Sequence, residues 1–370
     1  MITQMITQKI TASPLTASPE IATLDDVPYL YDMTFGQFLA ECRIRHPALY
    51  HRLRLSHLSK DDLCRRYELL EAMPSHFESN SAGGRGDAYR NEQKRSPLIR
   101  ARGIKALFDL LKEPEKHFSV DELILDVIGG NGTLTRAMRC LLPPPAQPTI
   151  ITSDPSSAMI ADALSQGLMA IRQPAQSLLL ADATIDGAIF AYGTHHIPPE
   201  ERQTSLREAY RVLKPGARVV FQDFEECTPT ARWYSELLDR YTSTGHKFAH
   251  FTRQEMNDLL INAGFTKVRV LDVYDPFVVM DRTAEMAQQQ LLKHVCSLFS
   301  LQKLPVDIDQ CDAAGWRRIE EIVRPYGTFA PESIAPELGA PFEPGIRTEA
   351  DHYIAEFPRI ALVAVGTKPE

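Results

Sequence analysis

Asp126 stands inside a short apolar run, Leu123-Ile124-Leu125-Asp126-Val127, and Gly129, Gly130 and Gly132 follow directly. The run has the make-up of a buried strand, and the glycines let the next turn bring its backbone close to a ligand. A helix starting just beyond would offer its free N–H groups to the same ligand. In an α/β chain this is where a nucleotide-like cofactor is held. Farther on, Asp154 opens the stretch Asp154-Pro155-Ser156-Ser157-Ala158-Met159. Its two oxygens suit the two donors of a vicinal diol, or the start of a helix as an N-cap. Tyr192, His195 and His196 come at the end of another apolar run. A neutral imidazole takes up a proton near pH 7, and an aromatic ring stabilises a cation without reacting. Asp223, Glu225 and Glu226 follow a third run and could bind an amine, act as a base, or be solvated loop charge. Residues 241–251 hold His246, His250 and three aromatics, a density that suits a substrate wall, although His250 stands as well for a helix start.

The elements that must position these groups follow from periodicity and punctuation. Strands are expected at 123–128, 149–153, 187–192, 218–223, 267–273 and 359–365, alternating with helices, which means a mostly parallel sheet covered on both faces. Leu206, Ala209, Tyr210 and Leu213 form one helical stripe, ending at Lys214-Pro215-Gly216. Met256, Leu259, Leu260 and Ala263 form another, opened by the capping box Thr252-Arg253-Gln254-Glu255 and closed by Gly264. Residues 29–117 read as helical, with a capping box at Thr34-Phe35-Gly36-Gln37 and with Ser96-Pro97 as cap and first-turn proline ahead of Ile104, Leu107, Phe108 and Leu111. Between these, residues 79–87 read as a flexible polar loop, a hinge, lid segment or plain connection.

The chain of 370 residues has ample apolar material for a core, and its 44% hydrophobic and 24% charged residues are ordinary for a globular protein. A net charge of −8 leaves no basic surplus to neutralise phosphates, so neither nucleic acid nor an anionic membrane is an expected partner. The six cysteines, Cys42, Cys64, Cys140, Cys227, Cys296 and Cys311, are scattered and read as reduced, mostly buried thiols of a cytoplasmic protein. No His/Cys group stands at metal-ligand spacing, and no metal is expected. Residues 1–26 lack the features of a signal peptide and read as a disordered tail in which Met5 serves as well as Met1 for a start.

The order of signals resembles the class I SAM-dependent methyltransferases from about Arg100 onward. It rests on the glycine turn, Ser153 to Met159, Asp186-Gly187-Ala188-Ile189-Phe190-Ala191-Tyr192-Gly193-Thr194-His195-His196, and Arg211-Val212-Leu213-Lys214-Pro215-Gly216-Ala217-Arg218-Val219-Val220. The resemblance implies a Rossmann-like seven-stranded sheet of order 3-2-1-4-5-7-6 with its last strand antiparallel, and S-adenosyl-L-methionine as co-substrate. It places Asp126, Gly129, Gly130 and Gly132 around the methionine part of SAM, Asp154 on the ribose hydroxyls and Met159 beside the adenine. Two departures stand out. Ile128 replaces the first glycine of the family's turn, and since a β-branched residue resists positive φ, the turn is expected to begin at Gly129. The acid that meets the adenine amino group is missing after the third strand, where Gln173 or Gln176 is expected to serve instead.

The expected divisions are a tail (1–26), an N-terminal helical region or lid (27–118), a SAM-binding core (119–274), a helical and proline-rich insertion (275–358), and a final core strand (359–370). The insertion, with helices near 286–301 and 316–323 and prolines from 325 to 344, is expected to roof the cleft together with the N-terminal helices. An enclosed cleft points to a small-molecule substrate, the resemblance implies methyl transfer, here expected in specialised biosynthesis, and pairing as a homodimer is left open. His195, Tyr192, Asp223 and His246 are the catalytic candidates. One alternative keeps SAM but cyclises its aminocarboxypropyl chain, as azetidine-2-carboxylate synthases do, releasing methylthioadenosine. A second is a non-catalytic scaffold that has kept the fold.

Overall fold

The computed structural model describes residues 24–72, 76–78 and 84–370. The expected tail lies outside them except for 24–26, which are not loose: Leu24 is buried and Asp26 pairs with Lys60. Most of the expected 79–87 loop is also outside, and its end belongs to a helix that begins at Gly86.

The N-terminal region is not wholly helical. Strands β1 (Pro28–Leu30) and β2 (Met33–Thr34) pair before helix α1 (Phe35–Arg45), whose capping box between Thr34 and Gln37 is formed. Helices α2 (Lys60–Ala72), α3 (Gly86–Arg95) and α4 (Ala101–Leu111) follow. Ser96-Pro97 does not open α4. Residues 97–100 form a turn, and the helix starts behind Arg100 with no side-chain cap.

The core elements are β3 (Leu123–Val127), α5 (Thr133–Leu141), β4 (Thr149–Asp154), α6 (Ser157–Ser165), β5 (Ala170–Arg172), β6 (Ile185–Phe190), α7 (Pro199–Val212), β7 (Leu213–Asp223), α8 (Arg253–Asn262) and β8 (Thr266–Tyr274). An insertion then supplies β9 (Phe277–Asp281), α9 (Ala284–Leu298), α10 (Ala313–Val323), β10 (Gly345–Glu349) and β11 (His352–Phe357), before β12 (Ile360–Thr367) closes the main sheet. That sheet runs β5-β4-β3-β6-β7-β12-β8, parallel except for β12, which is antiparallel to both neighbours. The insertion holds more than helices and prolines, because β10, β11 and β9 form their own antiparallel sheet.

Strand alternation divides the apolar residues between two cores. Leu123, Leu125 and Val127 of β3 face one core with Phe221 and Ala364, while Ile124 faces the other with Val220 and Val363. The insertion packs into the second core through Leu291, Val295 and Phe357. The N-terminal region is tied to the opposite edge, where Arg172 of β5 donates from its backbone to the Tyr29 hydroxyl (2.6 Å) and from its guanidinium to the Tyr29 carbonyl (2.7 Å).

The expected helix end at Lys214-Pro215-Gly216 falls inside β7. The ladder with β6 passes from Leu213 directly to Arg218, so these residues bulge from the strand with Gly216 at φ +77°. Of the six cysteines, all free, only Cys42 and Cys296 are buried, whereas Cys140 and Cys227 are exposed. No helix among the described residues is long and apolar enough to cross a membrane.

Candidate functional site

In an open α/β sheet, ligands bind beyond the carboxyl ends of the strands where strand order reverses. Here that point lies between β3 and β6, and a cavity opens there. It encloses about 1000 Å³ of space, part of it open to solvent. Its floor comes from three strand ends: Ile128, Gly129 and Gly130 after β3, Asp154 to Ser156 at β4, and Ala191 to Gly193 with His196 after β6. Its other wall comes from far upstream, from Leu70, His76, Phe77, Glu78 and Tyr89.

The turn after β3 does not begin at Gly129. Ile128 itself adopts φ +55°, the left-handed region that costs a β-branched residue most. Two contacts hold it there. The Gly129 N–H donates to the Ser153 carbonyl (2.9 Å), and Ile128 Cδ1 packs over Gly193, 3.6 Å from where a Cβ on that glycine would stand. Gly129 is required by Asp126 beneath it, since a Cβ would lie 2.3 Å from a carboxylate oxygen. Asp126 does not line the cavity; it is fully buried, with both oxygens unpartnered among the described residues. Burial, reinforced by Asp154, pushes its pKa well above the carboxylate range. Gly132 also stands back from the cavity. It starts α5 at φ +87°, and a Cβ there would meet Leu168 at 2.4 Å.

Asp154 lies on the cavity wall and accepts backbone N–H groups on both oxygens, from Gly130 (2.9 Å) and Ser156 (2.8 Å). It is not the helix cap, because Ser156 caps α6 through the Met159 N–H. Burial raises its pKa to about 6 against the lowering effect of those N–H groups. Met159, buried, lines the same wall beside Gly130. Glu78 approaches from the N-terminal side, accepting from Ser156 Oγ (2.8 Å) and from the Tyr31 hydroxyl (2.5 Å).

Gln173 and Gln176 are not in this wall. Gln173 is buried, donating to Ser153 Oγ (3.0 Å) and accepting from the Leu179 N–H (2.7 Å), while Gln176 donates to Glu201 (2.7 Å). Both amides help to fix the chain behind β5, and neither residue lines the cavity where the adenine was expected to meet one of them.

Tyr192 lines the cavity at φ +62° and is pinned at both ends. Its N–H donates to Gln222 (2.8 Å) and its hydroxyl to Asp275 (3.1 Å), while the buried Arg100 guanidinium lies 4.7 Å from its ring centre. Strained, over-determined backbone of this kind collects at functional sites.

Behind His196, and outside the cavity's lining, stands a group of buried imidazoles from His195, His246 and His250. Asp223, at the tip of β7, accepts from Nδ1 of His195 (2.9 Å), Nδ1 of His250 (2.8 Å) and the N–H groups of His195 (2.7 Å) and Phe224 (2.8 Å). Burial alone would raise its pKa, but these two histidines hold it well below the usual range. His195 is lowered by burial against the pull of Asp223, and burial with the neighbouring rings lowers His196 and His246 further. The histidines that the sequence leaves scattered thus converge in space. Glu225 pairs with Arg253 (3.1 Å), and Glu226 is exposed.

The insertion does not roof this cavity, and none of its described residues is in the wall. It buttresses the wall from behind. His294 of α9 meets Glu92 of α3 (3.0 Å), and the Phe299 carbonyl accepts from Arg85 (3.4 Å). The upstream wall residues had no sequence signal, because nothing in their local pattern marks a contact made across the sheet.

Residues 124–216 match the sequence model of a family described as a methyltransferase domain. That match covers part of the chain, on a sheet whose order is the one the resemblance implies and with a cavity at its reversal point. Among curated relatives, the ubiquinone/menaquinone biosynthesis C-methyltransferase UbiE of Pseudomonas syringae pv. tomato is 25% identical over 173 residues, covering 39% of this chain and 65% of that protein. The protein of the same name from Marinomonas sp. is 29% identical over 127 residues, covering 32% of this chain and 48% of that one. The alignments thus leave a third or more of each relative unmatched. Among solved structures, Haemonchus contortus phosphoethanolamine N-methyltransferase 2 in complex with S-adenosyl-L-methionine is 12% identical with a TM-score of 0.39, covering 72% of this chain and 52% of that one.

Proposed function

We propose that the protein is an enzyme that transfers the methyl group of SAM to a small molecule enclosed beside His196. Asp154 carries the reading. Each of its oxygens takes one backbone N–H and keeps acceptor capacity for the ribose diol, on the wall of a cavity where Gly129 and Gly130 present backbone without side chains. These residues fit the adenosine part of SAM, with Met159 beside the base. When bound, SAM supplies a sulfonium carbon open to in-line attack.

The chain's own tasks are positioning, exclusion of water and handling of one proton. Leu70, Phe77 and Tyr89 cover the cavity from the N-terminal side, and Tyr192 presents a pinned aromatic wall. Asp223 fixes His195 with Nδ1–H toward the carboxylate, leaving the Nε2 lone pair free to accept a proton from the acceptor. Asp223 is in this reading a positioning residue. The enclosed cavity supports a small metabolite, and a place in specialised biosynthesis is part of the proposal.

Calorimetry with SAM, followed by mass spectrometry of the products, tests it. S-adenosylhomocysteine formed only when an acceptor is added supports methyl transfer, and His195→Ala should then lower turnover while leaving SAM affinity intact. Methylthioadenosine formed from SAM alone would replace this reading by the cyclising one, to which the comparisons lend nothing. Absence of SAM binding would leave a scaffold.

A further inference from the structure

His195, His196 and His246 place ring nitrogens within 4.8 Å of one another. Their ring centres stand 4.5 Å apart for His195–His196, 5.0 Å for His195–His246 and 5.2 Å for His196–His246. Nε2 of His195 and both nitrogens of His246 are buried and lack a hydrogen-bond partner among the described residues. Buried polar atoms are almost always paired in native proteins, so lone pairs converging in this way call for an occupant.

Asp223 adds an independent observation. It accepts from Nδ1 of His195, which fixes the tautomer and leaves Nε2 as a donor of electrons toward the other two rings. A carboxylate behind an imidazole is how proteins orient histidines that ligate metals. Asp223 is itself saturated by His250 and two backbone N–H groups, so its role is to hold His195.

We propose that His195, His196 and His246 form a site for one divalent first-row transition-metal ion, with Asp223 orienting His195 and a coordination position open toward the cavity. Imidazole donors suit zinc, iron, nickel and copper. Three protein ligands with a vacant position are the pattern of a catalytic rather than a structural ion. Metal–nitrogen distances of about 2.0–2.1 Å bring two ligands on one ion within roughly 4 Å, so the rings close by on the order of 1 Å. Arg85 is a buried cation whose charge reaches all three rings. A fixed positive charge beside a dication favours an anionic oxygen in the open position, such as a carboxylate or enolate of the acceptor. An ion bound to His195 would replace proton abstraction by that ring with activation of the coordinated oxygen. The metal site stands without the SAM reading, and only the acceptor's placement rests on it.

The full-length protein, freed of any affinity tag and stripped with a chelator, is titrated with Co²⁺ and then Zn²⁺. The expected result is about one equivalent of Co²⁺ per chain with a visible d–d band that Zn²⁺ abolishes. His195→Ala and His246→Ala should each remove the band, Asp223→Asn should weaken Co²⁺ about 10- to 100-fold, and His352→Ala, on β11, should change nothing. Should His246→Ala fail to fold, His246→Phe keeps an aromatic ring in place and is read the same way. SAM calorimetry on each variant reports on fold and separates the two proposals. Protein that binds SAM but gives no band at millimolar Co²⁺ overturns the metal site, as does a band that survives loss of His246. Co²⁺ binding without SAM binding upholds the metal site and sinks the cofactor reading.

Discussion

The two ends of the cavity are built on opposite terms. At the β3–β4 end, polar groups on the cavity wall are already engaged: Asp154 holds two backbone N–H groups and Glu78 holds Ser156 and Tyr31. At the His196 end, Asp223 is saturated, but His195 and His246 keep nitrogens with no partner among the described residues. The first end is a rigid frame that a ligand joins. The second holds unpaired capacity that a ligand must complete, so substitutions should be read mainly as losses of shape at one end and losses of occupancy at the other.

The sharpest way to break this contrast is at Gly129. Gly129→Ala puts a methyl 2.3 Å from the buried Asp126 carboxylate and should destabilise the fold by about 3 kcal/mol, an overpacking cost read by chemical denaturation. If stability is unchanged, the frame is softer than its geometry. Asp154→Ala should weaken SAM binding by about 1–3 kcal/mol in calorimetry through unpaired diol donors and N–H groups. Titration gives a gentler version of the same loss. With the Asp154 pKa near 6, the ionised acceptor fades below that pH, and SAM affinity should fall about tenfold per pH unit there, or about 1.4 kcal/mol. The sign for folding is opposite. An acid whose pKa rises on folding holds protons that the unfolded chain releases, so its cost is fully present above about 6 and relieved as pH falls toward its ordinary value. The smallest effect is expected from Ile128→Gly. Relief of φ +55° offsets the lost side-chain contact and the added chain entropy, so stability should stay within about 1 kcal/mol of the parent. A drop as large as a buried Ile→Ala change, about 2–5 kcal/mol, would show that no strain is stored there.

What could be read in advance follows the same division. The long parallel strands announce themselves because both faces are buried, leaving apolar runs closed by glycine and proline. The three residues of β5 are too few to show any period, and β10 is exposed along its whole length, so it carries no buried pattern. At the site, the glycine turn and Asp154 are local features. Gln173 instead turns to Ser153 and Leu179, partners on other segments that no local pattern in the sequence marks. Ile128 shows a general steric rule overridden, as the backbone bond to Ser153 and the packing at Gly193 hold a conformation the isolated residue would avoid. His76, Glu78 and Tyr89 owe their places to docking across the sheet, which no spacing encodes.

The cavity wall drawn from Leu70, His76, Phe77, Glu78 and Tyr89 lies wholly outside residues 124–216, the stretch that matches the methyltransferase-domain model. Part of the cover over the proposed SAM site is therefore written in a stretch of the polypeptide separate from the strand ends that form its floor. In the proposed reading, exchange of Leu70, Phe77 or Tyr89 should change which acceptor is admitted while leaving every strand of the main sheet in place.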